Sequence, residues 1–320
     1  MRALIDDLGT RVELADPPTR IVSLVPSLTE AIAATAIETL VGVTDWCTHP
    51  ADLSTRGVAR VRGTKNPDLR AIGELRPDLV VANQEENREL DVRRLRERGI
   101  PVWVSRIEDV PQSLASMRRL LVEVMRCREP EWLVAAERLW SGPIPSPVAE
   151  VAVPIWRDPW MVVGRDTFTG DLLRRAGIAN AFAAHEDRYP HVDLTEIDRA
   201  GIDAVLLPDE PYVFTAADGP EAFDRVPTHL VSGRELTWYG PSLVTAHASL
   251  GYLTRFDRTE WPLGSGTLVG DELPWAVGFR VKPKLTGLDT ATLLASLLDS
   301  PTCRLFGFLE VAIFRHSHLW

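Results

Sequence analysis

From Arg20 onward, short apolar runs alternate with segments whose apolar positions recur at helical spacing, the rhythm of strand followed by helix. RIVSLV (20–25) reads as a strand stopped by Pro26. Ser27-Leu28-Thr29-Glu30 then fits a capping box, the Ser27 hydroxyl taking a free amide while Glu30 reaches back. LVGVTD (40–45), DLVVAN (78–83) and PVWVS (101–105) read as further strands. Asn66-Pro67-Asp68 supplies a cap, a first-turn proline and an N-terminal acid for the helix DLRAIGEL, and a helix over about 87–98 closes at Gly99. The layout returns with MVVG (161–164), a helix around 171–176 stopped by Gly177, and the strands DAVLLP (203–208) and THLVS (228–232).

Setting DLRAIGELRPDLVV against DLTEIDRAGIDAVL gives an internal match at an offset of 125 residues. Asp68 falls on Asp193, Leu69 on Leu194, Ile72 on Ile197, Asp78 on Asp203 and Val80 on Val205. The flanking elements follow in the same order, so the pattern predicts two related α/β lobes. Between them Leu114, Met117, Leu121, Val124 and Met125 are helically spaced, which predicts a long helix over 112–140 that Pro130 kinks or restarts. The expected organisation is an N-terminal lobe (1–110), a connecting helix and linker (111–147), a C-terminal lobe (148–250) and an unassigned extension (251–320). That extension carries seven acids against seven bases, no repeat and no α/β rhythm, and is expected to be dispensable for the two lobes.

Composition narrows the function. Hydrophobic residues at 45% and charged residues at 25% describe a globular chain. A formal charge of −10 argues against a nucleic-acid or anionic-membrane surface. Three scattered cysteines build no disulfide framework. The first residues have no apolar h-region, and no apolar run is long enough to span a bilayer, so the chain as it stands reads as cytoplasmic. Phosphate-loop, dinucleotide and nucleophile-elbow motifs are absent. Cys47-Thr48-His49 offers two ligands from one loop, a spacing more often structural than metal-binding, and His316 and His318 lack a nearby third ligand.

The aromatic residues are placed where chemistry is expected. In α/β sheets ligands bind beyond the carboxyl ends of the strands. The loops there contain Trp46, Trp156, Trp160, Tyr212, Trp238 and Tyr239. Any one of these fits a core; six in such loops suggest a cleft for a large, flat, partly apolar ligand. His49, Asn83, Glu85, Glu86, Arg157, Arg165 and Glu210 are the polar candidates, each of which also reads as an ordinary loop residue.

RIVSLVPSLTE, LVGVTDWCTHP, GTKNPDLRAIGELRPDLVVANQEENR and MVVGRDTFTGDLLRRAGIANAF together resemble the substrate-binding proteins of cobalamin and iron-siderophore ABC importers, the helical-backbone metal receptors. The likeness runs over about residues 6–248. It implies an α/β fold of two Rossmann-like lobes joined by a long backbone helix, with a metal chelate held between them, no intrinsic cofactor and no catalysis. Trp46 and His49 match the first-lobe cleft loop, and Trp238 and Tyr239 the second. The resemblance also implies extracytoplasmic placement and an ABC importer permease as partner. Family members dock on the permease through a glutamate of each lobe; the matching helix starts here carry Arg70 and Thr195, with Glu196 beside the latter. Two other readings stand beside this one: an enzyme acting on a corrinoid or similar cofactor in the same cleft, and a regulatory partner protein whose cleft has lost its ligand.

Overall fold

A computed structural model describes residues 2–254. The chain divides into Met1–Pro274 and Trp275–Trp320, and every described residue belongs to the first unit. The expectations placed on 255–320 lie outside the described residues.

An antiparallel hairpin, β1 (Arg2–Ile5) and β2 (Arg11–Leu14), precedes the first lobe. That lobe runs β3 (Ile21–Ser23), α1 (Pro26–Ala36), β4 (Leu40–Val43), three short strands β5 (Ala59–Arg60), β6 (Arg62–Gly63) and β7 (Asn66–Pro67), α2 (Leu69–Glu74), β8 (Leu79–Asn83), α3 (Glu89–Glu97) and β9 (Val102–Ser105). Its sheet is parallel, in the order β5-β4-β3-β8-β9. After α4 (Val110–Arg118) and α5 (Glu131–Trp140), the second lobe runs β10 (Ala149–Ala152), β11 (Pro154–Trp156), β12 (Met161–Val162), α6 (Phe168–Arg175), β13 (Ile178–Asn180), α7 (Leu194–Ile197), β14 (Ala204–Pro208), β15 (Thr228–Val231), α8 (Gly233–Thr237) and α9 (Ser242–Leu253). Its sheet, also parallel, has the order β13-β10-β14-β15.

The two sheets wind alike: in each the first strand, β3 or β10, sits between the strand that follows it, β4 or β13, and a later one, β8 or β14. The internal match has a structural basis, because β8 and β14 keep the offset seen in the sequence. Asp68 and Asp193 cap the helices that precede them, Asp68 accepting from the amides of Arg70 and Ala71 and Asp193 forming a capping box with Glu196.

Four local expectations change. Asn66 and Pro67 pair as β7, which leaves Asp68, and not Asn66, as the cap of α2. The residues 161–164 do not enter the parallel sheet, since β12 pairs antiparallel with β11 in a small excursion. The central strand is β10, just after the Pro-rich linker, where Val148 and Glu150 flank so short an apolar run that alternation is barely visible. The capping box at Ser27 does not form: Val25 is the N-cap, Pro26 opens the helix, and Glu30 bonds Arg234 of the other lobe.

The connection is helical in two pieces. α4 continues through a π-helical stretch, Arg119–Val124, and the helix stops before α5 restarts at Glu131. Pro130 lacks the amide a continuous helix needs there, and Arg126 takes φ +62° in the gap. Both lobes hold the connector. Ser116 donates to Asp7 at 2.6 Å, and the Val110 amide donates to Asp171 of α6 at 3.0 Å. The Trp140 indole donates to Leu243 O at 2.9 Å, fixing α9 against α5.

Period-two alternation along each strand sorts the core. Ile21, Leu79 and Val81 face one apolar cluster, while Val22, Val80 and Ala82 face another on the far side of the sheet. In the second lobe Val151, Ala204 and Leu206 join the first cluster, and Ala152, Val205 and Leu207 face a third. The first cluster is continuous through Met117, Leu120 and Leu121 of the connector, so the lobes share one core.

Candidate ligand-binding cleft

Where a parallel sheet reverses strand order, the loops on either side separate and leave a crevice beyond the strand ends. In the first lobe that point lies between β3 and β8, and in the second between β10 and β14. The loop leaving β8 carries Glu85 and Glu86; the loop leaving β14 carries Asp209 and Glu210.

Both loops are built rigidly. Asn83 is buried, its amide group donating to Ser105 Oγ at 3.2 Å and its carbonyl oxygen accepting from the Glu85 amide at 2.8 Å. Asn87 accepts from the Asn83 amide at 2.9 Å and donates to Thr64 O at 3.0 Å. Asn83 therefore shapes the turn. Opposite, the Gly233 amide donates to Asp209 at 2.6 Å. A Cβ at Gly233 would stand 2.3 Å from Glu210 Cγ and 2.8 Å from its backbone nitrogen, so only glycine lets α8 approach this loop.

The lobes meet across the crevice. Arg188, from the loop after β13, pairs with Glu85 at 2.5 Å and donates to Glu108 at 2.8 Å. The Tyr189 hydroxyl donates to Glu85 at 3.3 Å. His49 meets Trp238 edge-on with ring centroids 5.5 Å apart, and Arg234 Nε donates to Glu30 at 2.8 Å. Lys65 donates to the Glu85 carbonyl.

Carboxylates crowd this contact. Burial pushes the Glu85 carboxyl above its ordinary range, with Glu108 adding to the shift while Arg188 and Tyr189 oppose it. Burial also raises Glu86, with Glu85 contributing and Lys65 opposing. Glu210 is pushed up to about 7 by burial, then by Asp209 and Glu86, against the indole of Trp238 and the guanidinium of Arg234. Burial, then Glu86, raises the Tyr239 phenol. The Tyr239 hydroxyl and Glu210 Oε1 are buried without a hydrogen-bond partner. An unpaired buried polar group costs roughly 1–3 kcal/mol, so each such atom calls for an explanation.

A cavity of about 250 Å³ opens beside the bridge, lined by Gln84, Glu85, Arg106, Ile107, Glu108 and Arg188. Pockets for drug-sized ligands run to roughly 300–1,000 Å³. The cavity is smaller than that range, and the bridge from Arg188 to Glu85 and Glu108 forms part of its lining.

The structure brings His49, Glu85, Glu86, Glu210, Trp238 and Tyr239 together, while Trp46 stands 64% exposed in the His49 loop. It gathers Trp156, Trp160 and Tyr212 elsewhere. Trp160 is buried in the third apolar cluster, stacked on Phe214 at 6.0 Å, and Tyr212 packs edge-on against Trp156. Arg157 lies over Trp160 and pairs with Asp218 and Glu221, and Arg165 pairs with its neighbour Asp166 on the surface. Arg188, Tyr189, Glu108, Lys65 and Arg234 join the cleft although no motif marks them, and Glu30 joins it from the expected capping box. The sequence signal for Arg188 and Tyr189 was the charged, aromatic loop following β13, a strand of three residues too short to read. Among the described residues no group of three or more His, Cys, Asp or Glu is arranged to hold a metal, and no helix is long and apolar enough to cross a membrane.

Two parallel sheets of matching winding, a helical connector packed into both and a crevice between their strand ends define the fold of the two-lobed periplasmic binding proteins. The chain is similar to the vitamin B12-binding protein of Pectobacterium carotovorum, 24% identical over 208 residues that cover 61% of this chain and 72% of that protein. Among solved structures it resembles the periplasmic vitamin B12 binding protein BtuF of Vibrio cholerae, with a TM-score of 0.59, 18% identity and coverage of 75% of this chain and 97% of the other. A periplasmic heme binding protein from Pseudomonas aeruginosa matches with a TM-score of 0.59, 22% identity and coverage of 74% and 92%. No protein-family model matches the chain.

Proposed function

We propose that this protein is a non-catalytic binding protein for a metal chelate, a corrinoid or related planar or siderophore-type complex, held between its two lobes. The observation that carries the reading is the cleft: the strand-end loops of both lobes converge on one contact that leaves buried polar atoms unpaired. The relatives whose names state B12 or heme support the ligand class. In this reading Trp238 and Tyr239 form part of the second-lobe wall and Trp46 and His49 part of the first. The ligand supplies its own metal, and the protein supplies shape, aromatic surface and hydrogen bonds. In this reading the protein acts outside the cytoplasm and delivers the chelate to an ABC importer permease.

Absorbance and native mass spectrometry of the purified protein test the proposal, with titration of cyanocobalamin and hemin against tryptophan emission. A coloured or metal-bearing molecule travelling with the protein, or quenching at stoichiometric ligand, is the expected result. A folded protein that carries no such molecule and shows no quenching by either probe overturns it.

A further inference from the structure

The thiol and the imidazole of Cys47-Thr48-His49 are put to different uses. His49 lies against Trp238 of the other lobe, whereas Cys47 is buried beneath its own loop. Its sulfur stands 3.0 Å from Thr29 Oγ1 and 3.1 Å from Thr44 Oγ1. Thr29 donates to Ser23 Oγ at 2.8 Å, and Ser23 donates to the Val25 carbonyl at 3.2 Å. A hydroxyl has one proton to donate, and those of Ser23 and Thr29 are already given. The Cys47 thiol is therefore the donor to Thr29, and Thr44 is the donor to Cys47. All four side chains are buried, and the run ends on a main-chain carbonyl at the N-cap of α1. Burial raises the Cys47 thiol above its ordinary range, so it keeps the proton that this run requires.

Arg60 of the edge strand β5 holds the same turn from outside. Its Nη1 donates to the Thr44 carbonyl at 2.7 Å and to the Cys47 carbonyl at 2.8 Å. The Asp45 amide donates to the Arg62 carbonyl at 2.8 Å. Trp46 lies so close over Gly63 that a Cβ there would stand 3.3 Å from the indole nitrogen.

Resting on the proposed function, we infer that Arg60 and the buried run of Thr44, Cys47, Thr29 and Ser23 are positioning groups for ligand binding, holding the first-lobe cleft loop in the conformation that presents Trp46 and His49 to a chelate. Arg60 has β4 and β3 between it and the crevice, so it acts on a ligand only through the loop. The residue at 47 must both donate and accept, which cysteine and serine do and valine does not.

The test uses the full chain, with cyanocobalamin and hemin titrated against tryptophan emission and iodoacetamide labelling of each cysteine followed by mass spectrometry. Arg60→Met, with circular dichroism confirming its fold, binds at least about tenfold more weakly, because the loop holds the binding conformation in about a tenth of the molecules or fewer. In that variant Cys47 labels at least about tenfold faster, while the labelling of Cys127 and the amide exchange of β8 stay as in the wild type. A general loss of stability would move all three. Cys47→Ser keeps its affinity within about twofold, and Cys47→Val loses it as Arg60→Met does. Where Cys47→Val does not fold, Arg60→Met alone decides. Wild-type affinity in a folded Arg60→Met or Cys47→Val, or equal losses in Cys47→Ser and Cys47→Val, overturns this inference and leaves the chelate reading standing. No binding of either probe by the folded wild type overturns both.

Discussion

Glu210 holds a proton near neutral pH because it is buried beside two other acids, Asp209 and Glu86. That has a consequence for stability. Between the ordinary glutamate range and about 7, the folded protein keeps a proton the unfolded chain has lost. Stability therefore falls as pH rises across that window, by on the order of 3 kcal/mol for this one group. Denaturant unfolding of the wild type and Glu210→Gln at steps from about pH 5 to pH 8 checks this, and the variant is expected to show a shallower slope, having lost the share that Glu210 contributes. Single residues were unevenly legible in the sequence. Glu85, Glu86, Glu210 and His49 follow strands with a clear apolar pattern, and Trp238 ends the short helix α8 after β15, so their loops are legible. Trp160 sits in the same kind of loop, yet its indole packs on Phe214 and Phe223, because an aromatic ring beside a small antiparallel excursion is drawn into the nearest apolar cluster. Glu30 follows Ser27 at capping distance, but a carboxylate finds a stronger partner in Arg234 than in a backbone amide.

Among the elements, α4 and α6 show how the connector is tied to the second lobe. Burial alone would raise the Asp171 carboxyl. The hydrogen bond from Arg175, the Val110 amide and Arg174 outweigh it and hold it below the usual range. Its contribution is thus present above the ordinary aspartate range and lost as pH falls through the lowered value. Asp171→Ala leaves the Val110 amide and Arg175 without their acceptor and is expected to cost roughly 3 kcal/mol, read as a lowered denaturation midpoint. Elements of four or more alternating or continuously apolar residues, such as β8, β9 and β14, were readable from the sequence, and so was the restart of the connector after Pro130. β10 and β13 were not, because a short central strand flanked by prolines and glycines carries too little period to distinguish it from a loop. The π-helical stretch had no signature either: Arg119–Val124 is as apolar and as well spaced as an α-helix of the same length.

At the scale of the molecule, the cluster running through the connector makes the lobes interdependent, since Leu28 and Val81 of one and Leu206 and Tyr239 of the other bury against the same residues. The closing contact is made separately, by side chains at the rim. Arg188→Gln removes that contact while leaving the shared core intact. Its expected effect is faster amide exchange over residues 84–87 and 188–190, with the exchange of β8 and β14 unchanged. The bridge has a further meaning in terms of populations. On the proposed function, a ligand too large for a cavity of about 250 Å³ binds only the fraction of molecules in which Arg188 has let go, and its apparent affinity is reduced by that fraction. Each 1.4 kcal/mol or so that the bridge adds to closure raises the half-saturating concentration about tenfold. On the proposed function, Glu85 and Glu108, through their hold on Arg188, thus set the ligand concentration at which the cleft fills.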